Sequence, residues 1–296
     1  MAATVRNVTT TAGGRNSGSN FTSASCRRCQ PSSDLKLPNT KHTVSSEANW
    51  LVQLKVSSAD LGRLQEALWH HPGNSLIMRF GKKNIDVISF SDLAEERYVD
   101  SFIIDLSIGK YIEEARANGN NDTLYFPTEF FEWMNSSNGT FKQTKVTKET
   151  SRLTNFDSLK QILVPVHMPN NWGLAVVDLA NMTIYFDDGL AYVVPPAALP
   201  PIKELLHMLA EMHPSHLTLK TQFWQHCNDF NCFGMPSQAP VDSRMIRTGS
   251  CGIGVIMAAK DFIEKGSSCI RNFQWRYYDM DLHRKDLMLQ ILNWGF

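Results

Sequence analysis

The run Gly249-Ser250-Cys251-Gly252-Ile253-Gly254-Val255-Ile256 constrains this chain more than any other stretch. It sets one cysteine at the junction between a glycine-bearing turn and an apolar run of helical character, predicted from Cys251 to about Glu264. A thiol in that place meets the positive end of a helix macrodipole and a set of unpaired backbone N–H groups. Both features lower a thiol pKa and offer donors to an oxyanion, as a nucleophilic cysteine requires. Taken alone, a small buried cysteine that opens a core helix is the commoner reason for such a pattern. The balance shifts only when the residues upstream are read with it.

The remaining chain divides into an unpatterned tail and a globular part. Residues 1–48 are polar, poor in apolar side chains and without a sustained period, which predicts a disordered N-terminal tail. Its Cys26 and Cys29 are half a zinc site; His42 adds a third ligand and the tail offers no fourth. From residue 49 onward the pattern is globular. Helices are expected at Ala59 to His70, Tyr98 to Ala115, after Pro127-Thr128, Pro200 to Met212 and Asp281 to Trp294. Strands are expected at Ile85 to Phe90, Leu124 to Phe126, Gln161 to Val166, Trp172 to Asp178, Thr183 to Phe186 and Leu217 to Trp224. Asn135 to Ser151 reads as a polar loop, and Ala180-Asn181 as a tight turn between two strands. Helices mixed with a few locally paired strands predict an α+β domain over 49–296.

Charge narrows the partners. With 29 basic and 29 acidic residues the net charge is zero, so nothing global draws the chain to nucleic acid or an anionic membrane. The short basic clusters Arg27-Arg28 and Lys82-Lys83 read as solvated surface. No run has the length of a membrane-spanning helix, and the first twenty residues lack the apolar core of a secretory signal. The expectation is an intracellular protein of nucleus or cytoplasm, with its six cysteines as free thiols. His207, His213, His216 and His226 with Cys227 and Cys232 invite a zinc assignment. Their spacing fits no closed four-ligand pattern, so no metal and no cofactor are expected.

Four segments then align in order. Val164 to Leu179 contains Asn171-Trp172 opening an apolar strand that ends in Asp178; Thr183 to Leu190 follows with Tyr185-Phe186-Asp187-Asp188-Gly189; Pro236-Ser237-Gln238 and Ser250-Cys251-Gly252 complete the set. This order resembles the ubiquitin-like-protein proteases, papain-related cysteine peptidases that process SUMO-type modifiers. Tyr98 to Tyr111, Tyr125 to Phe130 and Asp279 to Leu292 are similar to that family's opening helix, substrate-side segment and closing helix, so the resemblance spans roughly 85–296. It implies a papain-like fold with a central mixed sheet flanked by helices. It also implies a monomer that acts on SUMO, NEDD8 or a similar modifier and its conjugated proteins. Carried over, Cys251 is the nucleophile on the carbonyl after a Gly-Gly tail, Asp188 orients the base, and Gln238 donates to the oxyanion beside the Cys251 N–H. Trp172 covers the tunnel for the glycine tail, with Gly252 beside it, although Trp172 is equally a core residue at a strand start. A one-residue shift would exchange Asp187 for Asp188.

Two departures bear on activity. The family's general-base histidine is replaced by Asn171, and an amide neither accepts the thiol proton nor returns one to a leaving amine. His167 lies four extended residues away, about 13 Å, while His226 and His283 cannot be placed from sequence. The interval from Gln238 to Cys251 is also longer than the family's, with Asp242 to Arg247 as an insertion and Met245 at the strict-spacing position. Either the loop bulges and Gln238 points inward, or that donor is gone. Three readings follow: a cysteine peptidase, a pseudoprotease that binds a modifier or partner, and a degenerate relative carried by a mobile element or gene duplicate.

Overall fold

The computed structural model describes residues 57–69, 76–80, 83–94, 98–169, 171–190, 195–237, 250–276 and 280–295. The tail with Cys26, Cys29 and His42 lies outside them, as do Gln238 and the insertion Asp242 to Arg247. In chain order the elements are α1 (Ser58–Trp69), β1 (Leu76–Phe80), β2 (Lys83–Asp86), α2 (Val87–Ala94), α3 (Ser101–Ala117) and β3 (Thr123–Tyr125). Then come α4 (Phe130–Met134), α5 (Gly139–Thr150), β4 (Gln161–Met168), β5 (Asn171–Asp178) and β6 (Thr183–Asp187). The chain closes with α6 (Leu199–Met212), α7 (Phe223–His226), α8 (Ser250–Lys265) and α9 (Met280–Gly295). No helix among the described residues is long and apolar enough to cross a membrane.

The centre is a mixed four-stranded sheet in the order β3-β4-β5-β6, parallel between β3 and β4 and antiparallel elsewhere. A separate antiparallel pair joins β1 and β2. The period-2 geometry of strands explains why β5 is buried at every position. Leu163, Leu174 and Val176 face one core with Ile253, Ile256 and Phe262 of α8. Ile162, Val164, Ala175, Val177 and Ile184 face a second with Ile202, Leu205 and Leu209 of α6. A strand covered on both faces reads as a continuous apolar run, which is the pattern Leu174 to Val177 carries.

Three expected elements are otherwise. Ile85 to Phe90 is the end of β2 followed by the first turn of α2, because a short apolar run has no period long enough to separate strand from helix. Asn135 to Ser151 holds the helix α5: Asn138 Oδ1 accepts the Phe141 N–H as an N-cap, and Val146 and Thr150 are buried four residues apart. Leu217 to Trp224 forms a 3₁₀ turn at Leu217–Lys220 and the short helix α7, anchored where Trp224 Nε1–H donates to the Thr218 carbonyl at 2.9 Å. The helix α3 begins three residues after Tyr98, with Asp100 as its cap accepting the Phe102 N–H at 2.6 Å.

Candidate active site

The thiol sits in the first turn of α8, and Cys251 is buried. Gly252 explains how α8 approaches the segment before α3: a Cβ there would lie 2.6 Å from Val99 Cβ. Gly252→Ala is therefore expected to lower Tm by several degrees, because overpacking of about 1–3 kcal/mol exceeds the helix-propensity gain. Gly109→Ala in α3, with nothing within 4 Å of the added Cβ, is expected to raise it slightly. Thermal melts of the two variants check the pair.

Burial pushes the Cys251 thiol up from its ordinary value. Backbone N–H groups of Trp172, Gly252 and Cys251 itself, and the Arg284 guanidinium, pull in the opposite direction and are outweighed. This corrects the expectation from the helix terminus alone: the macrodipole favours thiolate, but the site is closed enough that desolvation wins. The same N–H groups are the donors an oxyanion would meet.

The hairpin β4-β5 pairs Met168 with Asn171 and His167 with Trp172. Asn171, buried at the head of β5, donates from Nδ2 to Asp188 Oδ2 at 3.0 Å. Asp188 is buried just past β6, and its other oxygen accepts the Leu190 N–H at 2.9 Å. The neighbouring Asp187 does different work. Its Oδ1 accepts the Gly189 N–H at 2.9 Å, in a corner where Gly189 has φ 67°. Its Oδ2 accepts from the N–H groups of Gly234 and Met235, both at 2.9 Å, and from the Cys232 thiol at 3.0 Å. The two acids are thus distinguished by geometry: Asp188 meets Asn171, and Asp187 pins the 232–235 segment.

The described histidines have surroundings of their own. His167 is exposed and rests its ring on Trp172, 4.6 Å between centroids. His207 faces Glu211 at 3.3 Å. His213 stacks on Phe156 at 3.4 Å, and His216 Nε2 lies 3.2 Å from the Leu159 carbonyl. His226 ends α7 on the surface, and His283 packs on Trp275, whose indole N–H donates to Asp261 of α8. Among the described residues no three His, Cys, Asp or Glu side chains converge as metal ligands.

In front of Trp172 and Asn171 opens a cleft of about 660 Å³ whose far wall is the Thr128 to Glu132 segment. Its wall is ordered by Asp105, whose carboxylate accepts from Tyr125 Oη–H at 2.6 Å and from both the N–H and the hydroxyl of Thr128 at 2.8 Å. Sequence reasoning missed Asp100, Glu129 and Glu132, which also line this cleft. They lie on two segments that only the fold brings together, and no local period marks them.

No protein-family model and no curated protein sequence matches the chain. Solved structures do. The SUMO protease Ulp1 with its catalytic cysteine oxidised to a sulfenic acid is similar at 23% identity and TM-score 0.59, over 81% of this chain and 96% of that one. The C-terminal Ulp1 protease domain in complex with SMT3, the yeast ortholog of SUMO, is similar at 23% identity and TM-score 0.57, over 80% and 95%. The catalytic domain of the Chaetomium thermophilum Ulp1-like SUMO protease is similar at 16% identity and TM-score 0.58, over 81% and 90%. With its mixed four-stranded sheet between helices and its cysteine at a helix N-terminus, the chain has the α+β fold of the Ulp1-like cysteine proteases.

Proposed function

We propose that this chain binds the C-terminal tail of a ubiquitin-like modifier in the cleft at Trp172 and does not hydrolyse it at a protease's rate. The observation that carries this reading is the Asn171 amide held by Asp188 at 3.0 Å, at the head of the strand whose next N–H reaches the Cys251 thiol. Cys251, Asp188 and the backbone donors are those of a cysteine peptidase. The group between them has no proton to exchange. Nucleophile and base act as one unit in such enzymes, so losing the base removes most of the rate while leaving a binding cleft intact. In this reading Trp172 and Gly252 flank the glycine tail, and Gln238 is the side-chain oxyanion donor of the ancestral site. The protein acts as a monomer in a reducing compartment, nucleus or cytoplasm, in keeping with its free Cys227, Cys232, Cys251 and Cys269.

The test is covalent capture by ubiquitin, SUMO and NEDD8 bearing a C-terminal electrophile, with wild type and Cys251→Ala. Slow capture of one modifier is expected, absent in Cys251→Ala. The rate is expected to climb as pH rises towards and past the ordinary thiol range, because the raised pKa leaves little thiolate at neutral pH. Cys251→Ala is expected still to bind that modifier by surface plasmon resonance. Rapid turnover by wild type at neutral pH would instead establish the hydrolase reading. No binding of any modifier by either form would end both.

A further inference from the structure

Two histidine nitrogens just past the end of α6, His213 Nε2 and His216 Nδ1, are enclosed without a hydrogen-bond partner. Their rings tie the chain after α6 to the 3₁₀ turn Phe156–Ser158 and to Leu159. His213 stacks flat on Phe156, 3.4 Å between centroids at an interplanar angle of 7°, and His216 meets the same ring edge-on at 5.8 Å. Ser215 Oγ–H donates to Asp157 Oδ1 at 3.2 Å, and His216 Nε2 lies 3.2 Å from the Leu159 carbonyl. Between these ties and the buried Leu219, Leu217 is 80% exposed, so the stretch has little apolar burial of its own to hold it.

The hydrogen bonds fix which nitrogens carry protons. A carbonyl only accepts, so His216 holds its proton on Nε2 and keeps a bare Nδ1 inside. Neutral His213 with its proton on Nδ1 likewise keeps Nε2 bare, where an N–H would find no acceptor. Protonation of His213 creates that N–H and sets a charge in a half-buried place beside His216. Burial therefore holds the His213 imidazole below its ordinary value of 6.5; His216 lowers it further and Asp157 works against both. Asp157 is exposed and shared with Ser215, which screens its pull. The Phe156 face offers a cation some attraction, but an enclosed N–H without an acceptor costs more. The other charged groups of the adjoining segments are engaged elsewhere or in solvent. Glu211 faces His207 at 3.3 Å, Arg152 pairs with Glu149 at 2.7 Å, Lys160 pairs with Asp122 at 3.2 Å, and Lys220 is exposed.

We propose that His213 is an acid-sensitive latch: neutral, it clasps the 213–218 stretch to Phe156–Leu159, and protonated, it lets that stretch go. The hold is complete above pH 6.5 and weakens as pH falls through that value, because the opened ring titrates normally. Below the value of the closed ring both forms are protonated, and no further hold is lost. Opening uncovers Leu159, a buried member of the second core.

Hydrogen exchange of the full chain, read by mass spectrometry at about pH 7.5 and about pH 5.5 and corrected for intrinsic rates, tests the latch. Peptides covering 156–159 and 209–218 are expected to exchange about threefold faster at the lower pH, with those of β5 unchanged. His213→Phe keeps a ring on Phe156 but has no proton to take up, and is expected to abolish the difference. In wild type the His213 Cε1–H resonance is expected to titrate below 6.5. Equal exchange at the two pH values, a loosening spread evenly over all peptides, or a difference that survives in His213→Phe would each overturn the proposal. So would a wild-type His213 midpoint at or above 6.5, whatever the variant does.

Discussion

Asn171→His is expected to raise hydrolysis of a fluorogenic conjugate of the captured modifier by at least about a hundredfold, the range a positioned general base supplies. The reason is geometric. Asn171 Nδ2 already lies 3.0 Å from Asp188 Oδ2, and an imidazole Nδ1 branches from its side chain at the same point. With Nδ1–H on the carboxylate, Nε2 projects one bond further than an amide reaches, on the side open to the cleft. Asp188 would then fix the tautomer that leaves Nε2 as the acceptor. The base would also lower the effective pKa of the thiol that burial now holds up, so the pH at which capture becomes fast is expected to fall. The gain must vanish in the double variant with Cys251→Ala. A folded Asn171→His protein, shown by an unchanged thermal melt, that gains no activity would mean that the Cys251 surroundings are no longer those of a peptidase.

Asp187→Ala is expected to destabilise the fold by about 3 kcal/mol, measured by urea denaturation. One carboxylate accepts from the N–H groups of Gly189, Gly234 and Met235 and from the Cys232 thiol, and it is buried. Removing it orphans the Met235 and Gly189 N–H groups in the interior, each a loss of about 1–3 kcal/mol. The Gly234 N–H and the Cys232 thiol are half-buried, so water compensates part of their loss. Asp187→Asn keeps one acceptor oxygen and is expected to lose less than half as much. Against a total stability of about 5–15 kcal/mol, the alanine variant is a severe change for a residue that touches no substrate. An alanine variant within about 1 kcal/mol of wild type would show that the 232–235 segment is held by its packing and not by this acid.

The two acids show where sequence reading reaches and stops. The interval of 17 residues from Asn171 to Asp188, matched to the family it resembles, selects Asp188 over Asp187, and Asp188 is the acid that accepts from the Asn171 amide. The division of labour between Asp187 and Asp188 is invisible in the string, since it depends on the 232–235 segment returning beside β6, where Asn231 bridges Tyr185. The helix α5 was legible only through its Asn138 cap. Its polar composition gives no apolar stripe, and its burial against the second core is a tertiary fact.

By itself the sequence determined the α+β class, the strands around Trp172, the placement of Cys251 at a helix start and the absence of histidine at position 171. These are local: period-2 and helical patterns, a glycine-bearing turn and the identity of one side chain. Only the tertiary structure decided that the thiol is pushed up from its ordinary value, because desolvation is set by everything packed around α8 and outweighs the helix terminus. Only it decided that the Asn171 amide donates to Asp188 at the edge of a cleft. That cleft joins residues 98–101, 128–132 and 167–172, which are neighbours in space and not in sequence.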